Sequence, residues 1–130
     1  MSLIKTSQQI ELMAESGRIL AEIIREMIAY TRPGVTTREL DELALKLCKT
    51  HKVKPGFLGY GAKGSEYPAV ACLSVNDHIV HGIPTDRPLV AGDVLGIAVL
   101  VGGPADTSVQ AVEPSSAFRI SARTLTEAAR

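Results

Sequence analysis

The sequence predicts an α+β fold, an antiparallel sheet with helices packed on one face. Three observations carry that expectation. The first 50 residues read as two capped amphipathic helices. Residues 69–75 and 94–101 are apolar in the manner of strands. The breaks between later elements are short and rich in glycine and proline, as hairpins require. No repeat, linker or low-complexity segment interrupts the pattern, so residues 1–130 read as a single domain with one core.

Thr6-x-x-Gln9 has the form of a capping box, which satisfies orphan N–H groups at a helix start. Ile10, Met13, Leu20, Ile24 and Met27 then recur near helical spacing, with Ile19, Ile23 and Ile28 widening the stripe. The helix should run to about Tyr30 and stop at Thr31-Arg32-Pro33-Gly34. A second capping box, Thr36-x-x-Glu39, opens a shorter helix marked by Leu40, Leu43, Ala44 and Leu47 and ending near Thr50. The pair is expected to pack antiparallel, meeting the sheet through Ile10, Met13, Leu20, Ile24, Leu40, Leu43 and Leu47. Gly56 to Pro68 contains four glycines and reads as a loop, either a mobile connection or a functional one.

The centre of the chain is Cys72-Leu73-Ser74-Val75-Asn76-Asp77-His78-Ile79-Val80-His81-Gly82-Ile83-Pro84. Residues 69–75 suit a strand packed on both faces, and Asn76-Asp77 is turn chemistry that tolerates unusual φ. Ile79 and Val80 restart an extended segment that Gly82 and Pro84 stop. His81 is therefore expected at a strand end, beside a glycine that lets another stretch of chain come close. That position suits proton transfer or hydrogen bonding, although a lone histidine is more often a surface or core residue. Thr85-Asp86-Arg87-Pro88 is a polar turn, Asp93 a turn or capping residue, and Val94 to Val101 the clearest strand. Gly102-Gly103-Pro104-Ala105 can close a hairpin whose return runs from Asp106 to Val112. Glu113 to Ser116 breaks the pattern, and Phe118, Ala122, Leu125 and Ala129 predict a third helix from about Ser116.

Composition excludes several partners. The chain is 45% apolar and 22% charged, ordinary for a soluble domain. Fourteen basic and fourteen acidic residues cancel, leaving no electrostatic footprint for nucleic acid or anionic lipid. Trp is absent and aromatics are 4%, so there is no stacking platform for single strands. The longest apolar run, Leu89 to Ala105, is too interrupted by glycine, Pro104 and Asp93 to span a membrane. The N-terminal stretch is amphipathic and has no signal-peptide core. Cys48 and Cys72 are expected as buried, reduced thiols in a cytoplasmic protein.

Several stretches together resemble the type I methionine aminopeptidases. They are Ile4-Lys5-Thr6, Pro33-Gly34-Val35-Thr36-Thr37, Gly59-Tyr60, Cys72-Leu73-Ser74-Val75-Asn76, Val80-His81-Gly82-Ile83-Pro84, Gly92-Asp93-Val94 and Asp106-Thr107-Ser108. The resemblance covers nearly the whole chain. It implies one half of a pita-bread fold, two pseudo-symmetric halves around a two-metal site, and removal of the initiator methionine from new polypeptides. It implies that His81 contacts the substrate and assists the reaction, and that Tyr60, Tyr67 and Cys72 line the methionine pocket. Its cofactor is a divalent metal, cobalt, manganese, iron or zinc.

Departures from the family pattern bear on activity. Where the resemblance implies the first aspartate ligand, this chain has Ala98. The second aspartate corresponds to Asp106, and the histidine and two glutamates of the family's second half have no counterpart by Arg130. One carboxylate cannot hold the paired cations that two-metal hydrolysis needs, so weak or no metal binding is expected. Three readings remain: an aminopeptidase half completed by a complementary second half, a non-catalytic half-domain that binds a peptide, a ribosomal partner or itself, and a fragment without a function of its own. Self-association, as a homodimer, is expected on the ground that Val94, Ile97, Val99 and Val101 would be partly uncovered.

Overall fold

The computed structural model describes residues 4–99, 101–102, 108–109 and 115–116. Helix α1 spans Ser7–Tyr30 and α2 spans Thr37–Thr50. Both capping boxes close as the sequence predicts. Thr6 and Gln9 bond reciprocally, and so do Thr36 and Glu39. α1 ends at Thr31, whose hydroxyl donates to the Met27 carbonyl at 2.8 Å and so occupies one orphan carbonyl of the last turn.

Among the described residues six short strands follow: β1 Lys54–Pro55, β2 Ala71–Val75, β3 Leu95–Val99, β4 Val101–Gly102, β5 Ser108–Val109 and β6 Ser115–Ser116. They form two three-stranded antiparallel sheets, ordered β1-β4-β5 and β2-β3-β6. The predicted 94–101 strand begins at Leu95, and its two ends belong to different sheets. The predicted hairpin return is present, pairing Val101 with Val109 and Gly102 with Ser108. Ser115–Ser116 pairs with β3 instead of breaking the pattern, so no helix starts at Ser116. The rest of the predicted third helix lies outside the described residues.

The β2–β3 register is Ala71↔Val99, Cys72↔Ala98, Leu73↔Ile97, Ser74↔Gly96 and Val75↔Leu95. Alternation then sorts the two faces. Ala71, Leu73, Leu95, Ile97 and Val99 join one apolar cluster with Ile19, Leu20, Ile23, Ile24 and Met27 of α1 and Leu40, Ala44 and Cys48 of α2. Each fully buried Leu, Ile or Met in that cluster contributes about 1.5–3 kcal/mol. Cys72, Ser74 and Gly96 lie on the other face, where the site described below sits.

The helix stripes need correction at their edges. Ile10 is 56% exposed and does not meet the sheet, and Ile28 is also exposed. Met13 is half-buried, and Leu43 and Leu47 only flank the core, whereas Ile19 and Ile23 lie inside it. The expected bare sheet face is also corrected, because Ile97 and Val99 are buried within this single chain. Of the three whose side chains are described, Val94 alone is exposed, and the Val101 side chain lies outside the described residues. Both cysteines are buried free thiols, as expected. Among the described residues no helix is long and apolar enough to cross a membrane.

The segment after β2 is tied back to α2. Thr85 N donates to Thr37 Oγ1 at 2.8 Å, Arg38 N donates to the Thr85 carbonyl at 3.0 Å, and Thr36 bridges to Pro88. Gly34 N to Leu89 O and Leu89 N to Val35 O, both 2.8 Å, complete the join. It fixes the later part of the 76–93 return that carries His81, from Thr85 to Leu89.

Candidate functional site

β2 is positioned at its start by a residue that local sequence pattern gave no reason to single out. Asp41 of α2 accepts hydrogen bonds from Val70 N at 2.9 Å and Ala71 N at 2.8 Å. Burial pushes its carboxyl above the ordinary value, against the pull of those two amides. At the other end Asn76 turns the chain with φ 57°, the unusual backbone expected of the Asn76-Asp77 turn. Its amide donates to Asp93 at 2.8 Å, and its side-chain oxygen accepts from Val94 N at 3.0 Å. Asp93 also accepts from Val90 N at 3.0 Å and from Arg87, confirming it as a turn-fixing residue.

Ile79 and Val80 do not form the expected extended strand. They are exposed, and the chain returns irregularly alongside β2. The contact that guides it is Gly82. Leu73 N donates to its carbonyl at 2.8 Å, and its own N–H donates to Ser74 Oγ at 3.2 Å. A Cβ there would lie 2.2 Å from the Leu73 carbonyl oxygen, so the close approach expected of this glycine is obligatory. His81 precedes it with φ 56°, left-handed for a non-glycine residue, at a cost of about 1–3 kcal/mol.

The 56–69 loop brings two aromatics to the same face. Tyr60 N donates to the Phe57 carbonyl at 2.9 Å, Gly59 N to the Tyr67 carbonyl at 2.9 Å, and Tyr67 N to the Tyr60 carbonyl at 2.7 Å. The Phe57 and Tyr67 rings meet edge to face with centroids 6.0 Å apart. The Tyr67 hydroxyl points to the Gly82 carbonyl at 2.9 Å and the Ala71 carbonyl at 3.2 Å. Burial pushes its phenol well above the usual range, reinforced by the neighbouring Cys72 thiol.

Between these elements lies a cleft of about 200 Å³, lined by side chains such as Phe57, Cys72, Ile79, Val80 and His81 along β2, β3 and the return. Cys72 Sγ stands 4.0 Å from His81 Nδ1. Burial pushes the Cys72 thiol up, so at neutral pH it is an uncharged wall. The cleft is smaller than the about 300–1,000 Å³ of pockets for drug-sized molecules, a size that suits one apolar side chain. His81 at the rim supplies the polar group.

Of the residues singled out from sequence, the structure brings Cys72 and His81 together in the cleft lining, whereas Tyr67 stands outside that lining, with its hydroxyl on the Gly82 carbonyl. Tyr60 is 75% exposed and does not line the cleft. Asp106 lies outside the described residues. The register places Ala98 directly opposite Cys72 on β3. Among the described residues no three His, Cys, Asp or Glu side chains are grouped to hold a metal ion. An alanine supplies no donor, and a thiol–imidazole pair is not the oxygen-rich set of a two-metal hydrolase, so the described donor set does not fit such a centre.

Residues 11–106 match the model of metallopeptidase family M24. The chain is 39% identical over 100 residues to methionine aminopeptidase 1 of Bacillus subtilis, covering 76% of this chain and 38% of that protein. It is 40% identical over 97 residues to a methionine aminopeptidase of Chlamydia trachomatis, covering 75% and 33%. The solved methionine aminopeptidase of Rickettsia prowazekii superposes with TM-score 0.72 at 33% identity over 78% of this chain and 39% of that one. A streptococcal methionine aminopeptidase structure gives 0.75 at 28% identity over 97% and 47%. The chain thus spans about two fifths of the length of the curated relatives it matches.

Proposed function

We propose, since the chain belongs to metallopeptidase family M24, that it carries the peptide-recognising side of a methionine aminopeptidase site and binds N-terminal methionine without hydrolysing it alone. The observation that carries this reading is the apolar cleft walled by Phe57 and Cys72 with His81 at its rim. A thioether side chain matches the soft, uncharged lining, and the imidazole is placed to meet the polar backbone of the same residue. In this reading Cys72 and Phe57 shape the pocket, the Tyr67 ring supports Phe57 from outside it, His81 contacts the substrate, and Tyr60 acts no closer than the outer loop.

The family is a metallopeptidase family, and within this chain Asp106 is the carboxylate left to serve a divalent metal, with Ala98 in place of the other. A non-catalytic binding role is favoured by that alanine. Hydrolysis would require a complementary second half that brings the remaining ligands. The setting that fits nascent peptide N-termini is the cytoplasm. The burial of Ile97 and Val99 removes the uncovered strand as a motive for a homodimer.

The test is a titration of the 130-residue chain with a Met-Ala-Ser peptide, read by NMR and by methionine release in the presence of cobalt, manganese, iron or zinc. Shifts at Phe57, Cys72 and His81 without methionine release are expected. Shifts confined to other residues would overturn the binding site, and sustained metal-dependent release would overturn the inactive half.

A further inference from the structure

We propose that Tyr67 and Ser74 are positioning residues that aim His81 into the cleft through the backbone of Gly82. The inference rests on the reading of His81 as the substrate-contacting group. His81 holds a left-handed backbone that a non-glycine residue keeps only when its surroundings over-determine it. Those surroundings converge on the next residue. Leu73 N and the Tyr67 hydroxyl both donate to the Gly82 carbonyl, at 2.8 and 2.9 Å, and Ser74 Oγ accepts the Gly82 N–H at 3.2 Å.

Three partners therefore hold one residue through the two peptide groups that flank its Cα, one at its N–H and two at its carbonyl. Two of them, Leu73 and Ser74, are neighbours on β2, so the clamp is referenced to the sheet. The third reaches across from the glycine-rich loop, which the Phe57–Tyr67 ring contact ties to the cleft wall. Gly82 is buried, with no room for a Cβ, whereas His81 is exposed. The anchored unit is thus the glycine, and the imidazole is carried at a fixed angle beside it, with Nδ1 4.0 Å from Cys72 Sγ. This gives Tyr67 a different task from lining a side-chain pocket. Its ring packs on Phe57, but its hydroxyl is spent on the carbonyl that follows His81. Ser74 carries no role from the sequence, yet it is the one side chain that accepts from the Gly82 amide.

The experiment compares Tyr67→Phe, Ser74→Ala and Ser74→Thr in the ligand-free chain. Two NMR readouts report the aim of His81, the three-bond amide–α coupling that follows its φ and the cross-peak between its ring and the Cys72 β protons. Tyr67→Phe and Ser74→Ala are expected to shift the coupling and lose the cross-peak, with thermal midpoints moving by no more than about 8 °C, the effect of one hydrogen bond. Ser74→Thr, which keeps the hydroxyl, is expected to keep both signals. Retention of coupling and cross-peak in both deletion variants would overturn the clamp. So would loss of the fold in both, because the bonds would then belong to the core. Methionine amide added to the unaltered chain separates the two ideas. Failure to shift Phe57 and His81 would count against the proposed function and leave the ligand-free result standing.

Discussion

The helix pair and the 76–93 return are held by different means. α1 and α2 rest on a wide apolar stripe, with many buried side chains sharing the load and a local cap at each start. The return has few buried side chains, chiefly Leu89 besides Gly82 and Pro84. It keeps its path through point contacts: Gly82 on β2, Asn76 on Asp93 and Val94, Thr85 on Thr37. A distributed contact loses a fraction of its strength when one member is trimmed. A point contact fails as a unit. The group read as functional, His81, sits on the second kind.

The largest expected effect is therefore at a residue with no side chain. Gly82→Ala would set a Cβ 2.2 Å from the Leu73 carbonyl oxygen and 2.8 Å from Ser74 Cα, both backbone atoms that cannot rotate away. A loss on the order of 4 kcal/mol or more is expected in a denaturant melt. A mild change would mean that the return is free to lift off β2. Next comes Leu40→Ala, from a fully buried core residue, expected to cost about 2–5 kcal/mol by the same measurement. Leu43→Ala should cost less, since Leu43 only flanks the core. Equal losses at the two positions would erase the distinction between centre and margin of the stripe.

A finer comparison sets one polar corner against another. Asn76 combines a left-handed backbone with two side-chain hydrogen bonds, so Asn76→Ala should cost about 2 kcal/mol. Thr36→Ala removes a helix cap and should cost about 1 kcal/mol, seen as a smaller shift of the same melt. The reverse order would show the return to be less dependent on its corners than its geometry implies.

The smallest effect is that of mild acid, and it touches both regions. The Val90 N–H, then the Asn76 amide and Arg87, hold the Asp93 carboxyl below the ordinary value. The Thr36 N–H and hydroxyl do the same for Glu39. A depressed folded value means stability that is complete above the unfolded value, near pH 4, and lost as pH falls through the folded one. Asp41 runs the other way. Burial raises its folded value, so its titration favours the fold below the unfolded value, and that advantage is lost as pH rises through the raised one. Melts between about pH 5 and pH 3 should show a net fall in stability, and Asp41→Asn should make it steeper. An unchanged slope in that variant would remove Asp41 from the balance.

Much of the helix layer was legible because its signals are local. A capping box needs four consecutive residues, and a stripe needs one turn. The error at Ile10 has a geometric cause. A helix of 24 residues is about 36 Å long, and its first buried residue is Ser16, so the opening turns overhang the core. The change of sheet between Val99 and Val101 left no mark in the sequence, since both sides are apolar. The site divided in the same manner. Gly82 was legible as a close approach, and family resemblance singled out Cys72 and His81, which line the cleft, and Tyr67, which does not. Ile79-Val80 reads as a strand by composition but has no ladder partner among the described residues. Asp41 meets β2 from 30 residues away, and Ser74 bonds a backbone amide, so neither leaves a periodic or motif-like trace.

The join between Thr37 and Thr85 has a consequence for the order in which the protein is made. Its two partners are 48 residues apart. At the about 5–20 residues per second of ribosomal synthesis, α2 emerges roughly 2–10 s before the strand of chain that completes its first turn. The cap that Thr36 and Glu39 form between themselves is available at once. During that interval the nascent helix is stoppered by its own residues while the Thr37 hydroxyl and the Arg38 amide wait on water. The last stitch of the helical layer is therefore tied by the same segment that delivers His81, and early and late parts of the nascent chain are fastened in a single event.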